Sequence, residues 1–170
     1  ITLVDWGTVG TQDGMYNQVD PTDSRWVFNS YQTGGQRRFD QHTGLATVIE
    51  PRRPAGISAL RYNWVTPIVL SPHNPRVLYT GAQVLFRSFD RGDAWQEISP
   101  DLTTADPQKC GLNSGYVPYC TITSISESPL TPGVIWVGTD DGKVHVTRDH
   151  GAAWNDATTA VADGWGPAAR

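Results

Sequence analysis

A signature of eight residues occurs twice in this chain and constrains its fold more than any other feature. Ser88-Phe89-Asp90-Arg91-Gly92-Asp93-Ala94-Trp95 and Thr147-Arg148-Asp149-His150-Gly151-Ala152-Ala153-Trp154 both read S/T-x-D-x-G-x-x-W. Each is preceded by a second shared unit. Ser71-Pro72-His73-Asn74-Pro75-Arg76-Val77-Leu78-Tyr79-Thr80-Gly81 aligns with Ser128-Pro129-Leu130-Thr131-Pro132-Gly133-Val134-Ile135-Trp136-Val137-Gly138. A fainter copy lies upstream, where Asp20-Pro21-Thr22-Asp23-Ser24-Arg25-Trp26-Val27-Phe28 repeats the Pro-turn-strand unit. There Phe39-Asp40-Gln41-His42-Thr43-Gly44 stands in the signature's place, with its Gly displaced by one and its Trp missing. The prolines fall at 21, 72 and 129 and the aspartates at 40, 90 and 149, giving steps of 51 and 57 and of 50 and 59.

A unit of this length that recurs along a chain is one supersecondary module stacked on its neighbours. Alternating apolar residues between breakers predict four strands per unit. In the first unit these are Tyr16–Val19, Trp26–Ser30, Gln36–Phe39 and Ala46–Ile49. The second unit carries Val65–Leu70, Val77–Thr80, Val84–Phe89 and Trp95–Ile98, and the third Cys120–Ser126, Val134–Gly138, Lys143–Thr147 and Trp154–Asn155. Four short strands per 50–60 residues suit a propeller blade with loop insertions. The expected fold is therefore all-β, a β-propeller fragment of about three four-stranded blades, with units at 13–50, 63–100 and 119–157 and a cysteine-bearing insertion at 101–119. Asp140-Asp141-Gly142 is a hairpin turn and Gly34-Gly35 another turn. A helical turn is expected over Leu102–Asp106, capped by Asp101. No other stretch shows a 3.6-residue period, and Asp163-Gly164-Trp165-Gly166 reads as the approach to another blade. Composition agrees, with 17 Gly, 12 Pro, seven Trp and only 18% charged residues against about 25% in soluble domains.

Turn physics accounts for the signature. A short Asp side chain accepts hydrogen bonds from nearby backbone N–H groups and pins a tight connection. Gly supplies a backbone angle that side chains resist, and Trp opens the next strand with a large ring to bury. Ser88, Asp90, Gly92, Trp95, Thr147, Asp149, Gly151 and Trp154 are accordingly read as structural. An active site needs one constellation, not one per repeat.

The signature resembles the Asp-box, or BNR repeat, of sialidases, sortilin-type receptors and xyloglucanase-like glycoside hydrolases. The chain is most similar to the sortilin-N-terminal-like BNR proteins often labelled glycosyl hydrolases. Ser71–Pro75 with Tyr79, Ser88–Trp95 and Val134–Gly142 carry that likeness, which covers nearly the whole chain. It implies a propeller that is extracytoplasmic, secreted or periplasmic, and that presents its channel mouth to a peptide or polysaccharide as a binding or scaffold module. The same likeness admits a second role, part of a glycoside hydrolase whose catalytic acids lie partly outside these residues.

The residues narrow that choice. The Arg-Ile-Pro signature of sialidases is absent, and the three Glu, at positions 50, 97 and 127, sit at strand edges or turns where solvation explains them. A glycoside hydrolase needs two carboxylates facing across a cleft, and Asp13, just before the first inner strand, is the candidate here. Counting back eight from each repeat's proline gives Asp13, Trp64 and Thr121, with Gly14, Asn63 and Tyr119 beside them. Asp13, Asn63, Trp64 and Tyr119 are thus the candidate ligand-binding residues of a channel rim. Each has a plain alternative, since Asp13-Gly14 is a good turn, Trp64 good core and Asn63 an ordinary loop residue.

Other chemistries find no footing. The formal charge of −4 and the lack of any basic run argue against nucleic acid, and no apolar stretch approaches the ~18 residues of a membrane span. His42, His73, His145 and His150 form no metal pattern and are expected in solvent. No cofactor motif is present. Cys110 and Cys120 are the only cysteines, and they read equally as a loop-closing disulfide or as two free thiols. The chain starts at Ile1 without Met and without a signal-type stretch, so it reads as an internal fragment whose partners include the remaining blades of a parent chain.

Overall fold

The computed structural model describes residue 9, residues 12–110 and residues 118–164. These form three antiparallel four-stranded sheets, each a single chain meander. The first blade holds β1 (Asn17–Val19), β2 (Trp26–Ser30), β3 (Gln36–Asp40) and β4 (Leu45–Val48). The second holds β5 (Ile68–Leu70), β6 (Leu78–Gly81), β7 (Leu85–Ser88) and β8 (Gln96–Glu97). The third holds β9 (Ile122–Glu127), β10 (Ile135–Thr139), β11 (Val144–Thr147) and β12 (Asn155–Asp156), followed by a helix, α1 (Thr158–Gly164). Register is plain antiparallel, as in Leu78 opposite Ser88 and Ile135 opposite Thr147, with one irregularity at Gly138/Thr139.

The core lies between sheets. Phe28 and Ile49 of the first blade meet Ile68 and Leu78 of the second. Tyr79, Leu85 and Ile98 of the second meet Ile122, Ile135 and Val137 of the third. Because the middle blade is covered on both faces, all four residues of β6 are buried. This is why Leu78–Gly81 lacks the polar alternation of a one-sided strand. Strands β1 and β5, and β5 and β9, are in contact, so the first strands gather on a common side.

Each S/T-x-D-x-G-x-x-W turn closes on itself and then grips the blade before it. Ser88 Oγ accepts from the backbone N–H of Asp90 and Gly92 and donates to Asp90 Oδ1, which accepts from the N–H of Ala94. Thr147 and Asp149 repeat all four bonds with Gly151 and Ala153. Gly92 and Gly151 take φ of 93° and 96°, and the residues before them, Arg91 and His150, are also left-handed at 61° and 62°. A Cβ on Gly92 would lie 2.8 Å from Ile49, and one on Gly151 would lie 2.6 Å from the Ile98 carbonyl. Across the same seams Trp95 Nε1 donates to the Ile49 carbonyl and Trp154 Nε1 to that of Ile98. The incomplete first copy is held differently, its Asp40 bridged by Arg25 at 2.7 and 2.9 Å.

Several sequence expectations are corrected. The helical turn falls at 107–110, not Leu102–Asp106, because Asp106 and not Asp101 caps it by accepting from the Gln108 N–H. Asp101 instead accepts from the N–H and hydroxyl of Thr103, a local turn that competes with helix. A second helical segment, α1, forms where the sequence shows no 3.6-residue period, with its Thr158 N–H taken by Asp156 Oδ1; Trp165-Gly166 of the expected blade approach lies outside the described residues. Glu127 is buried, with Oε1 accepting from the Gly133 N–H, and His145 is half-buried. Strand β5 starts at Ile68 rather than Val65, since Asn63 turns the chain by accepting from the Val65 N–H.

Candidate functional site

Antiparallel meanders put the loops that enter β1, β5 and β9 at the same sheet end as the short β2–β3, β6–β7 and β10–β11 connections. The signature turns lie at the opposite end. Three entry-end segments converge on Asp140. Asn63 Nδ2 donates to Thr121 Oγ1 at 3.0 Å and to Asp140 Oδ2 at 3.1 Å. Asp140 also accepts from Thr121 through its N–H and hydroxyl, both at 2.8 Å. The loop entering the second blade, the start of the third blade and the β10–β11 hairpin are thus tied by one carboxylate.

Neighbouring groups extend the tie. Arg61 bonds Asp101 Oδ2 at 2.8 Å and the Cys120 carbonyl at 3.3 Å, while its own N–H donates to Gln83 Oε1. Asp141 accepts from the N–H and hydroxyl of Thr104 and from the Thr139 hydroxyl. Burial pushes its pKa up, but these bonds more than offset that and hold it below the usual range. Cys110 and Cys120 form a disulfide, which settles the choice left open by the sequence. Their sulfurs lie near Asp141, but sulfurs bonded to each other supply no thiolate for a metal.

Among the four candidate rim residues, only Asn63 enters this network. Trp64 is half-buried beside it, its carbonyl accepting from the Thr33 N–H at 3.3 Å. Tyr119 is exposed. Asp13 is exposed on a turn and makes no hydrogen bond among the described residues. Sequence reasoning missed the role of Asp140, taking it for part of a hairpin turn. No local spacing could announce it, because Thr121 and Asn63 lie 19 and 77 positions away.

Next to Trp64 a cleft of 490 Å³ opens between the β2–β3 connection and the loop entering the second blade. Thr33, Gly34, Pro51, Arg52, Ile57 and Tyr62 are among its walls. Thr33 holds a left-handed φ of 54°, uncommon for a β-branched residue. Gly34 faces the Tyr62 ring so closely that a Cβ would lie 2.3 Å from it. The charges here are paired, Arg52 with Glu50 at 2.7 Å and Arg53 with Glu97 at 2.8 Å.

The shifted carboxylates all move one way. Asp40 and Asp156 are held down chiefly by Arg25 and Lys143, and Asp90 and Asp149 chiefly by the backbone N–H of Ala94 and Ala153. For Asp20 burial acts upward, but Thr22 and Arg91 outweigh it. None of these acids, nor Asp141, is raised as a general acid of glycoside hydrolysis must be.

Three stacked four-stranded meanders, with first strands gathered and cores between sheets, make this chain an all-β section of a β-propeller. Solved structures bear out that class. The chain is similar to the GH74 xyloglucanase from Xanthomonas campestris, with a TM-score of 0.60 and 22% identity over 82% of this chain and 22% of that one. It is similar to YCF48 bound to D1 peptide, with a TM-score of 0.50 and 15% identity over 79% of this chain and 38% of that one. A GH74 enzyme from Niastella koreensis gives a TM-score of 0.50 and 12% identity over 81% and 21%. The chain spans from about a fifth to about two-fifths of these proteins, and identities so low carry the fold alone. No family model matches the sequence, and no match is found among curated proteins.

Proposed function

We propose that this chain is a non-catalytic section of a larger, extracytoplasmic Asp-box propeller of sortilin-like type, whose entry-end rim binds a polysaccharide or peptide. One observation carries the reading: three acids of that rim, all but the exposed Asp13, hold neighbouring loops together. Asp140, Asp141 and Asp101 are bound to neighbouring loops. What the rim offers outward is Tyr119, part of Trp64 and the cleft next to Trp64. Aromatic faces among fixed polar groups suit stacking and hydrogen bonding of a sugar or peptide rather than proton transfer.

Further blades on either side are part of this reading. Val19, Leu45 and Val48 of the first blade are exposed, as is Trp136 of the third, above a hollow of 180 Å³ lined by Ile125, Trp136 and Val144. Apolar surface of this extent on the outermost blades of a stack calls for cover. Among the described residues, no helix is long and apolar enough to cross a membrane.

A glycoside hydrolase is the second reading, favoured by the likeness to two GH74 proteins. One experiment separates the two. The full-length protein is assayed for binding and for hydrolysis on a polysaccharide panel and a peptide array, beside Trp64→Ala, Tyr119→Ala and Asp13→Asn. Binding that falls in the aromatic variants, without turnover, supports the rim. Turnover that collapses in Asp13→Asn replaces it with the hydrolase.

A further inference from the structure

Arg38 and Arg87 occupy equivalent places on the third strands of their blades, opposite Phe28 and Tyr79. Each donates Nη1 to the carbonyl of the left-handed residue in the next blade's turn, Arg38 to Arg91 at 3.0 Å and Arg87 to His150 at 3.1 Å. Two residues further on, the seams part. Asp93 follows Arg91, and its carboxylate pairs with Arg38 at 3.0 Å. The residue at that point after His150 is Ala152.

Arg87 consequently forms no ion pair among the described residues. Its Nη2 reaches Gln96 Oε1 at 3.3 Å, and its guanidinium lies 4.6 Å from the Phe89 ring centre. It also touches the Tyr79 hydroxyl, which itself meets Glu127. Its Nε is shielded from solvent without an acceptor, as is that of Arg38, so the two arginines differ at their outer nitrogens alone. Arg87 lines a groove of 670 Å³ between the second and third blades, together with Gln96, Glu97, Ser99, Asp149, His150 and Trp154.

We propose that this groove binds an acidic sugar, a uronic acid unit within an otherwise neutral oligosaccharide. The sugar carboxylate takes at Arg87 the place that Asp93 takes at Arg38. A guanidinium keeps its charge at any relevant pH and presents a planar fork that matches a carboxylate. Around it, Gln96 and His150 offer hydrogen bonds to hydroxyls, and Trp154 offers an aromatic edge. Glu97 is neutralised by Arg53, whereas Asp149 keeps its charge and repels a second acidic group, which favours a sugar with one carboxylate over an acidic peptide. This site lies at the outer seam and is independent of the rim proposed above.

The test is titration calorimetry of the purified full-length protein with aldotetrauronic acid, which carries one glucuronate, and with neutral xylotetraose. The acid should bind at least about tenfold more tightly, the worth of a charge-assisted contact, and less so at high salt. Ala152→Asp should remove that preference by supplying the carboxylate from within, and Arg87→Gln should remove it by deleting the partner. Ala152 is exposed, so its variant keeps the fold and decides the matter even where Arg87→Gln unfolds. Equal binding of the two sugars, no binding of the acid at millimolar concentration, or a preference that survives Ala152→Asp overturns the proposal. So does tighter binding of the peptide Gly-Gly-Asp-Gly than of the sugar.

Discussion

The indole of Trp95 donates a 2.5 Å hydrogen bond to the carbonyl of Ile49, a residue of the preceding blade 46 positions earlier. Trp154 does the same to Ile98 at 2.8 Å. The turn that closes a blade thereby also fastens it to its predecessor. Trp95→Phe keeps most of the buried ring and deletes the donor, so it should cost about 1 kcal/mol. Trp154→Phe should cost the same order. Urea unfolding of both variants checks this, and a Phe variant as stable as the parent would mean the bond contributes nothing.

Glycine substitutions separate backbone strain from seam packing. Gly142 has φ of 87° and open space for 4 Å around the point a Cβ would occupy, whereas Gly92 and Gly151 combine φ of 93° and 96° with contacts below 3.0 Å. Gly142→Ala should therefore cost about 1–2 kcal/mol of strain alone. Gly92→Ala and Gly151→Ala should lose clearly more, because Ile49 and the Ile98 carbonyl must move. Equal losses at all three positions would show that the seams are soft.

Acid should loosen the turns. Asp20, Asp90, Asp141 and Asp149 all titrate below the ordinary value of 3.8 in the folded chain. Protons therefore bind the unfolded chain more readily. The stability these groups contribute is complete above 3.8, and is lost as pH falls through that value toward their lower folded pKa values. Urea midpoints measured at about pH 6 and about pH 3 should differ, and the difference should shrink in Asp90→Asn. A midpoint that does not change between those pH values would contradict the assignment.

The disulfide spans 10 positions between Cys110 and Cys120. Closing a loop of that length contributes about 2.5–3 kcal/mol by chain entropy. Reduction, or paired replacement by Ser, should lower the unfolding midpoint by a corresponding amount. No change on reduction would indicate that the insertion unfolds apart from the blades.

Asp140 links three segments through Thr121 and Asn63. Asp140→Ala should cost about 1–3 kcal/mol, because it leaves the N–H and hydroxyl of the buried Thr121 without their acceptor. Hydrogen exchange at the Thr121 amide should accelerate in this variant while β6 stays protected. Uniform acceleration across the blades would instead identify Asp140 as a global determinant.

What the residues alone made legible was everything that repeats or lies close in the chain. The spacing of Pro21, Pro72 and Pro129, the two complete signatures and the period-2 strands define three four-stranded blades, and the observed sheets follow them closely. The hydrogen bonds inside each turn span at most four positions, so Ser88 with Asp90 and Thr147 with Asp149 declare themselves locally. The helical segments at 107–110 and 158–164 leave no such local signal, since Asp101, Asp106 and Asp156 compete as caps and propensity is a weak guide.

Tertiary structure decided the rest, because it depends on which blade a side chain faces. Nothing in the repeat distinguishes Asp93 from Ala152 until the stacking sets one beside Arg38 and the other in the groove beside Arg87. Nor does it show that Asp140 is a junction, since its partners come from loops brought together only when the second and third sheets pack. Local hydrogen bonds and alternation are written in adjacent residues, so sequence reports them. Pairings across a seam arise from burial of apolar faces that many side-chain arrangements satisfy equally, and the fold alone selects one.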